Sequence, residues 1–349
     1  MKHIIGVKPE PPAPSAKTLC VEEDSVGQRL DNFLLRELKG VPKTHIYRII
    51  RSGEVRINKG RVSADTRLCL GDRVRLPPVR VSERMAEKAQ AMAHSNANIP
   101  ARDFAILLED EHLIALNKPA GVAVHGGSGV SFGVIEQLRM ARPQAKFLEL
   151  VHRLDRETSG ILLVAKKRSA LNNLQHQFRE RLTGKTYLAM VAGHWPQKLK
   201  VLDQPLHKYL LDGNDEQAGE RRVKVVPRDD PNGMPSVTLV KLNQWLAEYS
   251  QLEVTIKTGR THQIRVHLAS AGYPILGDDK YGNFELNKAL SRQNNQPSLK
   301  RMYLHAWRLQ FSHPATTKRI ELLADLPAEL ASFSDALTSA HSTQNDTKL

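Results

Sequence analysis

The stretch SGILLVAKK, residues 159–167, carries five consecutive apolar side chains, Ile161 to Ala165, closed by two lysines. A strand with one wet face alternates apolar and polar residues, whereas a run without a polar break must be covered on both faces. The run is far shorter than the roughly 20 residues that cross a bilayer. The chain is therefore committed to a sheet with material packed on either side. Whatever loop enters that strand is held rigidly by it. Here the loop is VHRLDRETS, 151–159, which sets one carboxylate, Asp155, between Arg153 and Arg156.

The surroundings read as further strands and helices. HLIALNKP (112–119) predicts a strand and AGVAVHGGSG (120–129) a glycine-rich return. TYLAMVAG (186–193) predicts another strand, and SVTLVKLNQW (236–245) with YSQLEVTIKTG (249–259) a hairpin pair. Ser169 predicts a cap for a helix carrying Leu171, Leu174, Phe178 and Leu182 on one face. Strands with interspersed helices, without a regular βαβ repeat, point to the α+β class.

The N-terminal part is different in kind. Residues 1–17 contain four prolines and no periodicity, and are expected to be disordered. From Gln28, Leu30, Phe33, Leu34 and Leu38 share a helical face that Gly40 ends, and a second helix turns Ile46, Ile49 and Ile50 inward. EVRIN and DRVRLP then alternate as strands, completing a small helix-helix-strand unit over 18–80. Residues 28–80 hold thirteen Lys/Arg against five Asp/Glu, a net of +8 of the chain's +14, in a small fraction of its length. Lys43, Arg48, Arg51, Arg56, Lys59 and Arg61 would give that unit a basic surface suited to phosphates, the plainer alternative being a solvated polar face. Residues 81–101, rich in Ala and small polar residues, predict a linker. A larger domain is expected over 102–331, with a polar, disordered tail over 332–349.

Several chemistries can be set aside. Cys20 and Cys69 are too few for a disulfide framework or a Cys-rich zinc site. There is no Walker loop, no GxGxxG after a strand, no HExxH and no GxSxG, and VHGGSG lacks the Lys-Ser/Thr of a nucleotide loop. His152, His262 and His267 have no Cys or paired carboxylate close in sequence, so no metal is expected. With no signal peptide at its start, the sequence reads as a soluble cytoplasmic protein. Asp155 suits a turn, given Asp-Arg-Glu-Thr-Ser-Gly, and equally suits a nucleophile on an anchored loop, where the flanking arginines favour the ionised form. A second constellation lies in KTGRTHQIRVHLASAGYPILGDDKYG (257–282). There Thr261 predicts a cap for a helix with Ile264, Leu268 and Ala271 inward and Gly272 at C′. Arg260 before that helix and Arg265 on it could partner a phosphate or a carboxylate, or simply face solvent.

HRLDRETSGILLVAKK, TGRTHQIRVHLA and GYPILGDDKYG resemble the motifs of the RluA-type pseudouridine synthases, and ALNKPAGVAVHGG resembles the strand and turn that precede them. The basic unit from Gln28 to Pro77 is similar to an S4 RNA-binding domain. Together the resemblance spans about 18 to 330. It implies an S4-type domain followed by a catalytic domain on a mixed, mainly antiparallel sheet with flanking helices. The implied reaction is isomerisation of uridine to pseudouridine, without cofactor or metal. The implied partner is large-subunit 23S ribosomal RNA, free or in a pre-ribosomal particle, met by a monomer with no membrane attachment.

Roles also follow from the resemblance. Asp155 aligns with the essential nucleophile. Tyr187 aligns with a tyrosine that packs on the base and is implicated in proton removal from C5. Arg265 matches the arginine that ion-pairs with the aspartate, Arg260 being second choice, and Arg153 one that holds the target nucleotide out of its helix. Arg260 and His262 join the RNA-contacting set. Two other readings compete: a non-catalytic RNA-binding or ribosome-assembly factor, and a carboxylate-dependent glycosidase drawing a second acid from Glu157, Asp278 or Asp279.

Overall fold

In the computed structural model the strand containing Ile161–Ala165 is buried along its whole length, within a ten-stranded sheet. Residues 16–38, 40–79, 99–126, 132–210, 221–292 and 298–346 are described by the structure. The chain divides into two compact units, Met1–Pro100 and Ala101–Leu349. No helix among the described residues is long and apolar enough to cross a membrane.

The first unit runs β1 (Lys17–Cys20), α1 (Leu30–Glu37), α2 (Lys43–Arg51), β2 (Arg56–Ile57) and β3 (Arg73–Leu76), with its strands in the order β1-β3-β2. Leu30, Phe33, Leu34, Ile46, Ile49, Ile50, Val55 and Val74 make its core, as their spacing predicts. The two helices are also tied by a polar contact, the Tyr47 hydroxyl donating to the buried Asp31 at 3.0 Å, while Arg29 donates to the same carboxylate at 2.7 Å.

The second unit begins with β4 (Ala105–Glu109), β5 (Leu113–Lys118), α3 (Val134–Ala141), β6 (Glu149–Leu150), β7 (Ser159–Ala165) and α4 (Arg168–Arg179). It continues through β8 (Gly184–Ala192), β9 (Val201–Leu202), the paired β10 (Leu206–Leu210) and β11 (Arg221–Val225), then β12 (Thr238–Leu246) and β13 (Tyr249–Ile256). It closes with α5 (Gln263–Ser270), α6 (Phe284–Ser291), β14 (Leu304–Ser312), β15 (Arg319–Leu323) and α7 (Ala328–Asp346). The sheet order is β4-β5-β7-β14-β8-β13-β12-β9, with β15 beside β14 and β6 beside β7. All described pairs are antiparallel except β7 with β14. This is the mixed, mainly antiparallel α+β arrangement that the sequence predicts.

The period of two in β5 and β7 explains the double cover. Leu113, Ala115, Ile161, Leu163 and Ala165 face α4 through Ala170, Leu171 and Leu174. Ile114, Leu116, Leu162 and Val164 face the opposite side, where Val134, Ile135 and Leu138 of α3 cover them. Gly160, between the loop and this run, permits the parallel seam. Its φ is +110°, and a Cβ there would lie 2.3 Å from the Ala306 carbonyl oxygen of β14.

Four expectations need correction. Lys167, not Ser169, takes the N-cap position of α4, and the helix ends at Arg179, leaving Leu182 exposed beyond it. The first unit begins with β1, a strand at the edge of the segment read as a disordered lead, which pairs Lys17–Cys20 with β3. The tail read as disordered from 332 is helical to Asp346. Leu330, Phe333 and Ser334 are buried and Leu337 packs beside them, an i, i+3, i+4, i+7 stripe sufficient to dock an otherwise polar helix. Thr261 does not cap α5. His262 takes the N-cap position with φ +53°, and the Gln263 carboxamide instead ties the turn, accepting from Thr258 Oγ1 at 2.8 Å and the Arg260 amide at 3.0 Å. The predicted linker and most of the predicted lead lie outside the described residues.

Candidate active site

The loop before β7 is pinned from several sides. His152 stacks on Phe178 at 4.6 Å between ring centroids, and its Nε2 accepts the Leu163 amide at 3.1 Å. Burial pushes the His152 imidazole down to about 3, so that acceptor nitrogen keeps its lone pair. Lys118 at the end of β5 is fully buried, and its Nζ donates to the carbonyls of Pro119 (2.8 Å), Val122 (2.8 Å) and Arg156 (3.1 Å). Three carbonyls match the three N–H bonds of an ammonium. Burial pushes this lysine down to about 7, against the opposing pull of the Glu157 and Asp155 carboxylates. Ser159 ends the loop with its hydroxyl 2.8 Å from His305 Nδ1, while Arg301 donates to that hydroxyl at 2.7 Å. The second ring nitrogen of His305 faces the Ala324 carbonyl at 3.0 Å, so it carries the proton and Nδ1 accepts from Ser159.

Asp155 is thereby held at the floor of a cleft, about a quarter exposed. Arg265 of α5 approaches it with Nη1 3.4 Å from Oδ2, and His262 Nε2 stands 3.9 Å from the same oxygen. Tyr187 of β8, Arg153, Thr158, Arg260 and Leu304 complete the inner wall. The cleft then opens past His125, Arg156, Arg222, Asp279 and Lys280, with a volume of about 580 Å³, within the range of small-ligand pockets.

Arg265 is itself buried and held more tightly elsewhere. Its Nε and Nη2 both reach Asp278 at 2.7 Å, and Nη2 reaches Asp279 at 2.9 Å. Asp278 also accepts the amides of Lys280 (2.8 Å) and Tyr281 (3.0 Å). Burial alone would favour neutral forms of both groups. The bidentate contact outweighs it, raising the arginine and lowering Asp278, so both stay charged. Arg265 therefore presents a permanent positive charge to Asp155 from a fixed mount.

Tyr187 bridges two of the sheet's core clusters, and its phenol is raised well above its ordinary range, by burial and then by the Asp155 charge. It stays a neutral phenol at physiological pH, fit to present a ring face and a hydroxyl but weak as a base. His262 is lowered by burial, against the pull of Asp155. Its Nδ1 lies 2.9 Å from the Tyr281 hydroxyl, which accepts the Val223 amide.

The structure thus brings Asp155, Tyr187, Arg265, Arg153, Arg260 and His262 to one cleft. Of the two arginines proposed as partner of Asp155, Arg265 makes the contact; Arg260 donates from Nε to the Pro235 carbonyl at 3.3 Å. The flanking Arg156 donates to the Gly121 carbonyl at 3.0 Å and pairs with Glu157. Lys43, Arg48, Arg51, Lys59 and Arg61 of the first unit are exposed, and Arg56 is half-buried with its guanidinium on the Lys59 carbonyl. Sequence reasoning missed Lys118, the Ser159–His305–Arg301 group and the role of Asp278. A lysine at the end of an apolar strand was the one available signal. No group of three or more potential metal ligands occurs among the described residues.

Residues 112–270 match the model of the family described as RNA pseudouridylate synthase, and residues 28–74 match the S4 domain. The chain is 48% identical to Ribosomal large subunit pseudouridine synthase C of Salmonella typhi over 93% of its own length and 98% of that protein. It is 49% identical to the protein of the same name from Escherichia coli K12, over 90% and 94% respectively. Among solved structures it is similar to Human RNA Pseudouridylate Synthase Domain Containing 4, at TM-score 0.53 and 27% identity over 71% of this chain and 97% of that one. The human Domain Containing 1 structure gives TM-score 0.53 and 26% identity, over 69% and 95%.

Proposed function

The chain belongs to the RNA pseudouridylate synthase family, and from that premise we propose that it converts uridines of large-subunit 23S ribosomal RNA to pseudouridine, with Asp155 as nucleophile. The relatives named above are ribosomal large subunit synthases over nearly the whole chain, which supports the substrate. In this reaction the N1–C1′ bond breaks, the base turns, C5 bonds to C1′, the C5 proton leaves and N1 gains one. No oxidation state changes, so the chemistry calls for no cofactor. The enzyme acts as a monomer in the cytoplasm, on free rRNA or an assembling subunit.

One observation carries the assignment: a carboxylate on a loop pinned from several sides, facing an arginine that is buried and permanently charged. Attack at C1′, removal of the 2′ proton and addition to C6 are the three first steps open to such a group, and each begins from the ionised acid. A uridine inside a helix cannot reach the cleft floor, so it must be everted, at a cost of a few kcal/mol that stacking and phosphate contacts offset. Tyr187 offers the stacking face and Arg153 lies at the cleft wall. The neutral phenol favours packing over the base role in C5 proton removal that the family resemblance carries. A glycosidase would need a second free acid, but Asp278 is committed to Arg265 and two amides, Asp279 pairs with Arg265 at 2.9 Å, and Glu157 pairs with Arg156.

The test is tritium release from 23S rRNA labelled at uridine C5. Asp155→Asn should abolish release and leave rRNA binding within about twofold, since the side chain keeps its size. Turnover within about tenfold of the wild type would remove Asp155 from the mechanism.

A further inference from the structure

The outer edge of the sheet carries a second feature, apart from the cleft. Among the described residues, β12 is paired on that side only where Thr238 and Leu239 meet β9 and where the Val240 amide reaches the Lys200 carbonyl. Beyond this no described strand pairs with its edge from Lys241 to Trp245, which forms one wall of a groove with Lys198 and Lys200. Trp245 is 47% exposed, although tryptophan rings are ordinarily well buried. Its indole N–H points to the Trp195 carbonyl at 3.4 Å, and the His194 ring lies 6.1 Å away, so the exposed ring is oriented. Lys198 and Lys200 line the same groove and are exposed, whereas the bulge between Leu242 and Gln244 turns Lys241 to the other face, where it reaches Glu253 at 3.1 Å.

Lysines on an open strand edge have a plain explanation, as guards against edge-to-edge pairing. That explanation does not extend to a large aromatic held beside them. An exposed, oriented indole in one groove with two ammonium groups is the pairing that takes single-stranded nucleic acid, with a base on the ring and phosphates on the lysines. A duplex hides its base faces and would leave the indole unused. Thr238, at the far end of β12, is hydrogen-bonded to Gln263 of α5 at 3.0 Å. Trp245 is seven residues further along, about 23 Å at strand rise. The indole therefore stands too far along the strand to stack on the target nucleotide and would engage another part of the same RNA.

We propose that this groove is a second RNA-binding site, which seats an unpaired segment flanking the modified helix with one base stacked on Trp245 and its phosphates on Lys198 and Lys200. The proposal rests on the reading that RNA is the substrate.

The experiment uses the full chain and two RNAs: a long 23S rRNA fragment that the wild type converts, and a short hairpin cut closely around one converted uridine. Trp245→Ala should weaken binding of the long fragment about tenfold, with Trp245→Phe restoring most of it. The Lys198→Glu, Lys200→Glu double variant should flatten the salt dependence of long-fragment binding by about one to two in log–log slope. Turnover of the short hairpin should be unchanged in every variant. Unaltered long-fragment affinity and salt slope would overturn the proposal. So would a loss of self-association by Trp245→Ala with RNA affinity intact, which would assign the face to a protein contact. If the wild type converts no fragment of 23S rRNA at all, the proposed function is overturned instead.

Discussion

Arginine and lysine serve two opposite ends in this molecule. In the first unit they stand in water: Lys43, Arg48, Arg51, Lys59 and Arg61 are exposed, and the core beneath them is formed without them. In the second unit Arg265 and Lys118 are buried, and every polar atom they reach is part of the site's frame. A solvated charge acts at a distance, is screened by salt and adds to its neighbours. A buried charge acts through contact, and removing it leaves its partner unpaired in a poor solvent. The basic surface should therefore be tolerant and graded, and the cleft intolerant.

The largest effect should come from Arg265→Ala, which strands Asp278 and frees Asp155. Turnover should fall at least about a thousandfold, in line with loss of a preorganised electrostatic group, and stability by about 3–5 kcal/mol. Single-turnover kinetics and urea melts measure the two. Arg265→Lys should recover little, because an ammonium cannot make the bidentate contact; full recovery would show that only the charge matters. Next comes Asp278→Asn. It leaves Asp155 and Arg265 chemically intact but loosens the mount, so turnover should fall about a hundredfold with rRNA affinity unchanged. An affinity loss of the same size would move Asp278 from positioning to binding.

The outer charges should respond gently. Neutralising Lys43, Arg48 or Arg51 singly should weaken rRNA binding a few-fold and lower the salt slope by about 0.7–0.9 per charge, without changing turnover of bound RNA. Deleting residues 1–80 should add these effects together. A single substitution that abolishes binding would break the contrast. The smallest effect concerns acid. His305 is buried and neutral, pushed down to about 4 against an ordinary value of 6.5. Above 6.5 neither folded nor unfolded ring is protonated. Below it only the unfolded chain takes up the proton until about pH 4, so stability should fall across that window by up to about 1.4 kcal/mol per pH unit for this ring. Thermal melts at pH 7 and pH 5 should show the second unit failing first, with His305→Gln narrowing the gap.

Much of this was legible in the sequence where a periodic pattern met a specific motif. The apolar run of β7, the inward face of α2 and the hairpin β12–β13 follow from spacing alone. Asp155 and Arg265 could be paired because each lies in a motif specific enough to align. What stayed hidden depends on long-range partners. The tail docks as α7 because of four residues that meet a surface built elsewhere. Gln263, not Thr261, ties the turn before α5, through Val237 and Thr238 where a distant strand begins. Asp278 was noticed only as a rival acid, since nothing local says that its carboxylate grips a guanidinium thirteen residues back.

The parallel seam at Gly160 has a consequence for how the protein comes into being. β7 and β8 follow one another in the chain, yet the strand that lies between them, β14, begins only at Leu304. While the ribosome is still making residues 200 to 300, two of the most apolar strands stand with bare flanks and no partner to zip them together. The small basic unit has its whole core in hand by then, whereas the catalytic sheet waits for almost the final stretch of synthesis. A nascent chain stalled before β14 should therefore be a client for chaperones, with its small basic unit already folded and its cleft not yet in existence.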